Sequence, residues 1–229
     1  MEKILIAEDD RILLKMIARA LQKHSHKFEV FAARDGEEAI AVLRQEPISL
    51  VVTDIQMPRV NGIILLAYVH TYHPGLPCIV MTSYGTSRLR AKLPKDLIRF
   101  FQKPINVDDL VRAIFATLER SEPRDTGQGV SVASFLDMIN MEQISCTFEI
   151  HSPGKPKGVL YFKDGILYDA QCGDINGEAA AIELIGREMS TYHFKSFPEK
   201  EVVRRIKTDL EELIRNAILV EPEPELPLG

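Results

Sequence analysis

The first half of the sequence alternates five short apolar runs with segments whose apolar residues recur at helical spacing, and this alternation limits the fold more than any other feature. The apolar runs cover residues 4–7, 28–32, 50–52, 78–81 and 98–101. Near-continuous apolar strands that alternate with helices predict a parallel sheet covered by helices on both faces. Because the crossover connections are right-handed, we expect an open three-layer α/β sandwich.

The chain has 229 residues, which is enough for two modest domains. After residue 129 the rhythm changes, and apolar residues alternate along short segments as in half-exposed strands. The pair Asp164-Gly165 between two such segments is a strong hairpin signal. We therefore expect a second, smaller α+β domain with an antiparallel sheet. The predicted divisions are a first domain at 1–120, a linker at 121–129, a second domain at 130–220 and a disordered tail at 221–229.

The two halves differ in net charge. Residues 1–120 hold 17 basic and 14 acidic residues, which gives +3, whereas residues 121–229 hold 11 and 19, which gives −8. A domain that binds nucleic acid is usually basic, so the second half is not expected to bind DNA. The cysteines are odd in number and have no paired spacing, so we expect small buried residues rather than disulfides or metal ligands. They are Cys78, Cys146 and Cys172.

No apolar run approaches the roughly 18–20 residues of a membrane span. The apolar stretch that begins at Ile4 is too short for a secretory signal and runs directly into acidic residues. We therefore expect a soluble, cytoplasmic protein that does not insert into a membrane.

Polar side chains follow the predicted strands of the first half. Glu8 and Asp9 follow the first strand, Asp54 the third, Thr82 the fourth and Lys103 the fifth. Because the carboxyl ends of parallel strands meet at one edge of a sheet, these side chains should converge. Three close carboxylates favour a bound cation such as Mg²⁺, and an aspartate can itself accept a phosphoryl group. The same spacing leaves Asp9 an alternative role as a helix cap.

With these residues in this order, residues 1–120 resemble the response-regulator receiver domain of two-component signalling. The resemblance implies a flavodoxin-like, doubly wound five-stranded parallel sheet. It implies that Asp54, the first residue of the motif 54–58, is the phosphoacceptor. It also implies that Thr82 and Lys103 contact phosphoryl oxygens and that a cis bond to Pro104 sets the position of Lys103.

The same resemblance implies a Mg²⁺ site. Asp9 and Asp54 would bind the ion directly, together with the backbone carbonyl of Gln56, and Glu8 would act largely through water. Glu8 stands where the family more often has Asp, a change that should leave metal binding intact.

Phe100 falls at the aromatic switch position, three residues before Lys103, where the family more often has Tyr. Switching in this chain would therefore not use a phenol hydroxyl. The segment 88–94 lacks the small-residue turn of the family, and we expect the helix at 84–93, part of the usual signalling face, to be short or mobile.

The second half resembles the PATAN domain, a domain of unknown function that is often fused to receivers. The resemblance is carried by residues 158–170 and by the following helix, 177–185, and it implies protein–protein interaction rather than catalysis. Asp169 and Glu183 are either catalytic acids or residues that are solvated at the surface or locally paired. The last helix, which contains Leu210, either offers a docking or homodimer face or packs within its own domain.

The leading interpretation is a response regulator that accepts a phosphoryl group on Asp54 from a histidine kinase or phosphotransfer protein. Phosphorylation would change the face formed by the helix at 84–93, the strand at 98–101 and the last helix of the first domain, and so the choice of an unknown downstream protein. Slow self-phosphorylation and dephosphorylation would be the only chemistry, so the chain would not be an enzyme. The alternative is a constitutive adaptor that uses the receiver as a scaffold. An Asp-nucleophile phosphatase is disfavoured, because its second acid would stand at Gln56.

Overall fold

The computed structural model of the protein describes residues 1–23, 27–83, 98–119 and 130–219. Three sequence predictions lie outside the described residues. These concern the helix at 84–93, the linker at 121–129 and the tail at 221–229.

The first domain is built on one parallel sheet. Its strands are β1 (Glu2–Ala7), β2 (Phe28–Ala33), β3 (Leu50–Asp54), β4 (Cys78–Thr82) and β5 (Ile98–Gln102). Its described helices are α1 (Arg11–Gln22), α2 (Gly36–Leu43), α3 (Gly62–Tyr72) and α4 (Val107–Leu118). The strands run in the order β2-β1-β3-β4-β5 and every pair is parallel. The predicted flavodoxin-like α/β fold is confirmed.

Alternate residues of each strand enter different layers, because successive side chains of a strand point to opposite faces. On β1, Ile4 and Ile6 join an apolar cluster with residues of α1 and α4, while Leu5 and Ala7 join a second cluster with α2 and α3. The sheet is therefore covered on both faces, which explains the near-continuous apolar runs in the sequence.

Each described helix of the first domain begins at a residue whose side chain accepts a backbone N–H of the first turn. These caps are Asp10, Asp35, Asn61 and Asn106. The cap of α1 is Asp10 and not Asp9, so the alternative role considered for Asp9 is wrong.

The second domain is an antiparallel sheet with three helices. Its strands are β6 (Cys146–His151), β7 (Gly158–Lys163), β8 (Ile166–Cys172), β9 (Ile175–Asn176) and β10 (Thr191–Ser196), in the order β10-β6-β7-β8-β9. Its helices are α5 (Val132–Met141), α6 (Gly177–Ile185) and α7 (Leu210–Leu219). Asp164 and Gly165, with φ of 50° and 75°, form the predicted turn between β7 and β8. The two-residue strand β9 was not predicted, since so short a strand has no readable periodicity.

The core of the second domain is aromatic on one side and aliphatic on the other. Phe135 of α5 packs on Phe148 of β6, and the Phe148 ring stacks on Phe194 at a centroid distance of 4.6 Å. Helix α7 packs on α6 and buries Leu210 and Leu213. The apolar face of the last helix is thus part of the domain core, as one of the two sequence interpretations expected.

The two domains share one apolar cluster. Helix α3 of the first domain packs against β10 and α5 of the second. Hydrogen bonds also cross this contact: the Tyr192 N–H donates to Thr71 Oγ1 over 3.2 Å, and the Val130 N–H donates to His70 Nδ1 over 3.3 Å, both acceptors lying on α3. The docking of the domains therefore combines apolar burial with directional hydrogen bonds.

The three cysteines are buried, as expected, and no disulfide joins any two of them. Within the described ranges, no helix combines the length and the apolar character that a bilayer crossing requires.

Candidate functional site

Four of the predicted site residues converge at the carboxyl edge of the parallel sheet. Asp54 and Thr82 end β3 and β4, and Glu8 and Lys103 directly follow β1 and β5. The Lys103 ammonium lies 2.7 Å from Asp54 Oδ2 and 3.1 Å from Glu8 Oε2. One cation therefore bridges two buried carboxylates that lie at the ends of the neighbouring strands β1 and β3.

Asp9 completes an acidic cluster with Glu8 and Asp54. Each of the three offers a carboxylate oxygen, and these oxygens lie within 4.8 Å of one another. Glu8 is buried, whereas Asp9 is exposed, so the cluster opens to solvent on the Asp9 side. Closely spaced carboxylate oxygens with an open side suit Mg²⁺, which keeps several waters when bound. The residues present therefore fit the predicted ion.

Burial makes the charged forms of the two inner acids costly. Burial raises the pKa of Glu8, and the charge of Asp54 adds to the effect. Burial likewise raises the pKa of Asp54, against the lowering effect of the hydrogen bond from Lys103. Burial also acts to lower the pKa of Lys103, but its hydrogen bonds and charge interactions with Asp54 and Glu8 raise that pKa overall. Binding of an additional cation at this site is therefore favoured, because it would stabilise the charged forms of the two buried acids.

The backbone around Asp54 is held tightly. The Ile55 N–H donates to Asp54 Oδ1 over 2.8 Å, and the Gly62 N–H donates to the Ile55 carbonyl over 2.9 Å. A Cβ at Gly62 would lie 2.0 Å from the Asp54 carbonyl oxygen, so only glycine allows α3 to approach this closely. The Lys103–Pro104 bond is cis, as the resemblance implied, and the Lys103 N–H donates to the Thr82 carbonyl over 2.8 Å.

Thr82 and Gln56 meet a residue that the sequence reasoning missed. Thr82 Oγ1 donates to Glu142 Oε1 over 2.8 Å, and Gln56 Nε2 donates to Glu142 Oε2 over 2.9 Å. Glu142 follows α5 of the second domain and is 8% exposed. Burial raises the pKa of the Glu142 carboxyl, and the nearby charge of Asp54 acts in the same direction. An acid at a helix C-terminus, where the helix dipole disfavours it, is the one signal in the sequence that could have drawn attention to it.

Phe100 lies on β5 and is 3% exposed, within the apolar cluster that the two domains share. The described polar contacts between the domains run through α3, Gln56 and Thr82. They do not involve β5 or α4 among the described residues. The predicted signalling face also includes the helix at 84–93, outside the described residues, and it stays a prediction.

The two acids considered in the second domain are locally paired. Asp169 is buried and pairs with Arg205, and Glu183 pairs with Arg187 over 2.7 Å. The sequence interpretation as paired residues is therefore confirmed for both.

Comparison with known proteins bears on the first domain. Residues 4–115 match the model of the response regulator receiver domain. The chain is 33% identical over 121 residues to the transcriptional regulatory protein GlrR of Escherichia coli (strain K12), a match that covers 52% of this chain and 27% of the relative. It is 33% identical over 135 residues to the transcriptional regulatory protein CpxR of Klebsiella pneumoniae, covering 58% of this chain and 56% of the relative. The chain thus spans less than two thirds of either relative.

Two solved structures are similar over the same portion. One is the CheY-like receiver domain protein from Methanospirillum hungatei, at 28% identity and a TM-score of 0.45, covering 52% of this chain and 94% of that one. The other is the response regulator protein TrrA from Thermotoga maritima in complex with Mg²⁺ and BeF, at 25% identity and a TM-score of 0.44. That match covers 52% of this chain and 100% of the TrrA chain. From the family match and the sheet topology, residues 4–115 of this chain form a response regulator receiver domain.

Proposed function

We propose that the chain is a two-component response regulator that accepts a phosphoryl group on Asp54 and controls a protein-interaction output in its second domain. The observation that carries the proposal is the placement of Asp54 against Lys103, 2.7 Å away, with Glu8 and Asp9 beside it. In the reaction, the N–P bond of a phosphohistidine breaks and an O–P bond to an Asp54 carboxylate oxygen forms. The histidine ring keeps the electron pair of the broken bond and then takes up a proton. The donor is a histidine kinase or a phosphotransfer protein.

Each neighbouring side chain has a defined task in this proposal. Asp9 and Asp54 hold Mg²⁺ with the Gln56 carbonyl, and Glu8 supports the ion largely through water. The ion, when bound, neutralises charge on the transferring phosphoryl oxygens. Lys103 provides a second positive charge, and Thr82 donates its hydroxyl to a phosphoryl oxygen. Phosphoryl transfer depends mainly on such positioning and charge neutralisation, so no further catalytic group is required.

The output is proposed to be a protein contact rather than DNA binding. The net charge of −8 over residues 121–229 opposes approach to a phosphate backbone. The matches to the transcriptional relatives extend over 121–144 residues, which is too short to include both domains. We assign residues 1–120 to the phosphoacceptor, 121–129 to the linker and 130–220 to a PATAN-like output domain, with a downstream protein as its partner.

A constitutive adaptor is the second candidate, and the contact of Glu142 with Thr82 favours it. That contact ties the receiver to the second domain without any phosphoryl group. In an adaptor, partner binding would be the same with and without a phosphoryl mimic at Asp54.

Labelling with acetyl phosphate and Mg²⁺ tests the proposal. We expect the full chain to gain one phosphoryl group and Asp54→Asn to gain none. Asp10→Asn is the matched control, because Asn also caps a helix and Asp10 is an adjacent acid that serves α1. Equal labelling of wild type and Asp54→Asn would overturn the assignment of the phosphoacceptor.

A further inference from the structure

Glu142 reaches from the second domain into the phosphoacceptor site of the receiver. Both oxygens of its carboxylate are bound by receiver side chains, one by Thr82 and one by Gln56. These partners are 60 and 86 residues away in the sequence, so the contact exists only because the two domains are docked. We refer to these two hydrogen bonds as the Glu142 contact.

The Glu142 contact uses the Thr82 hydroxyl. The proposed function requires that same hydroxyl to donate to a phosphoryl oxygen on Asp54. A threonine hydroxyl carries a single hydrogen to donate, so Thr82 cannot serve Glu142 and a phosphoryl oxygen at once through that hydrogen. Glu142 also lies close enough to Asp54 for their charges to interact. Its carboxylate therefore takes up the Thr82 hydroxyl that a phosphoryl group on Asp54 needs, and its charge is close enough to interact with a charge at Asp54.

The position of Glu142 is fixed by the fold of the second domain. Its backbone N–H donates to the Met138 carbonyl over 3.0 Å, at the end of a helix whose Ile139 is fully buried. Asn140, two residues before it, donates to the Gly165 carbonyl over 3.0 Å and so ties this helix end to the turn between β7 and β8. The backbone of Glu142 therefore moves with its domain, so a shift of the second domain relative to the receiver withdraws the carboxylate from the site.

We propose that Glu142 is an internal competitor for the phosphoryl-binding position: it holds the second domain on the unphosphorylated receiver, and phosphorylation of Asp54 expels it. The inference rests on the proposed function. A phosphoryl group brings close to two negative charges and three acceptor oxygens, and it is paired by Lys103. The two hydrogen-bond donors of the Glu142 contact are neutral, and Lys103 attracts Glu142 only through its charge, so the phosphoryl group outcompetes it and repels it.

Linkage makes the competition reciprocal. If phosphorylation loosens domain docking by some factor, then docking lowers the affinity of the receiver for a phosphoryl mimic by the same factor. Removal of Glu142 should therefore make Asp54 easier to modify and should also loosen the docked domains. A residue that only stabilises the second domain would not change the modification of Asp54.

Two backbone amides report on docking in the full chain. The Tyr192 N–H donates to Thr71 Oγ1, and the Val130 N–H donates to His70 Nδ1 over 3.3 Å. Both acceptors belong to the receiver, so these amides should lose protection when the domains separate. With Mg²⁺ and beryllofluoride as the phosphoryl mimic, we expect their hydrogen exchange in wild type to accelerate at least about fivefold, the lower end of typical coupling.

Glu142→Ala should show the faster exchange without the mimic and should bind Mg²⁺ and beryllofluoride at least about fivefold more tightly than wild type. Acetyl phosphate should also label it faster than wild type. Glu201→Ala, which removes an exposed glutamate elsewhere in the second domain, is the matched control and should behave as wild type. If Glu142→Ala does not fold, Glu142→Gln replaces it, because glutamine keeps the size of the side chain and removes its charge. The hydrogen exchange of the two amides with and without beryllofluoride is measured on the wild-type protein and does not depend on any variant.

The outcomes separate the two proposals. If Asp54 is labelled while both amides stay protected, or if Glu142→Ala is labelled no faster than Glu201→Ala, the competition is refuted and the phosphoacceptor role stands. If Asp54 is labelled in neither wild type nor Glu142→Ala, the proposed function fails together with the inference.

Discussion

The imidazole of His70 on α3 lies parallel to the phenol ring of Tyr192 on β10, with ring centroids 4.8 Å apart and an interplanar angle of 13°. His70 Nδ1 accepts from the Val130 N–H, and Nε2 lies 3.3 Å from the Ser190 carbonyl, an acceptor. Nε2 must therefore carry the proton, and the ring is neutral. One histidine of the receiver thus binds the second domain through stacking and through both ring nitrogens.

Acidification should weaken this interface. Burial lowers the pKa of His70, although the Ser190 carbonyl opposes the effect, and a proton on Nδ1 would face the Val130 N–H. The contribution of neutral His70 to stability is complete above the unfolded pKa of about 6.5. It is lost as the pH falls from there toward the lowered folded pKa, because the unfolded chain binds the proton first. In urea denaturation, the unfolding free energy should fall by at most about 1.4 kcal/mol per pH unit in this window.

His70→Phe should remove that part of the pH dependence, since Phe keeps the stacking and has no titrating group. Its unfolding free energy at pH 7.5 should be lower, because the Val130 N–H and the Ser190 carbonyl lose their partner. Tyr72→Phe, at an exposed position on the same helix α3, is the control and should retain the pH dependence. An unchanged pH profile in His70→Phe would contradict the assignment to His70.

Gly62→Ala should damage both stability and the site. The added Cβ would meet backbone atoms, the Asp54 carbonyl oxygen at 2.0 Å and the Ile55 Cα at 2.8 Å, and backbone cannot rotate away as a side chain can. We expect a loss of about 1–3 kcal/mol of unfolding free energy from overpacking, with slower labelling of Asp54 by acetyl phosphate. Gly186→Ala is the matched control. Its Cβ would lie 3.7 Å from its nearest neighbours, the Ala217 and Ile182 carbonyl oxygens, so the substitution should be neutral or stabilising by about 0.4–1 kcal/mol.

The sequence predicted the features that depend on the order of strands and helices within one domain. It did not predict the contacts that depend on how the two domains pack together. Asp54, Thr82 and Lys103 could be placed together because each follows a periodic apolar run, and parallel strands bring their carboxyl ends to one edge. Glu142 and His70 could not be placed, because their partners belong to the other domain and the docking of two domains leaves no periodicity in either one. The expected signalling face on β5 was inferred from resemblance, which carries no information about where this particular second domain packs.

Magnesium should stabilise the protein through the acidic cluster. A ligand that binds only the folded chain at ten times its dissociation constant raises the unfolding free energy by about 1.4 kcal/mol. We therefore expect a higher melting temperature in millimolar Mg²⁺ than in EDTA, and a much smaller difference in Asp9→Asn. Asp10→Asn should keep the full difference, because Asp10 caps α1 and lies outside the cluster. Equal melting temperatures with and without Mg²⁺ in wild type would count against the metal site.

Arg187 should be the most sensitive charged position of the second domain. Its side chain is fully buried, and it donates to the Pro156 carbonyl and to Glu183 Oε1, each over 2.7 Å. Arg187→Met removes these hydrogen bonds and leaves the Pro156 carbonyl without this partner, so we expect the unfolding free energy to fall by about 3 kcal/mol. The unfolding free energy of Arg187→Lys should fall by nearly as much, because one ammonium group cannot reproduce the planar set of donors of a guanidinium group. The control is Arg215→Met, on the exposed side of α7, whose unfolding free energy in urea titration should stay within about 0.5 kcal/mol of wild type. A similar loss of unfolding free energy in Arg187→Met and Arg215→Met would refute a specific role for Arg187.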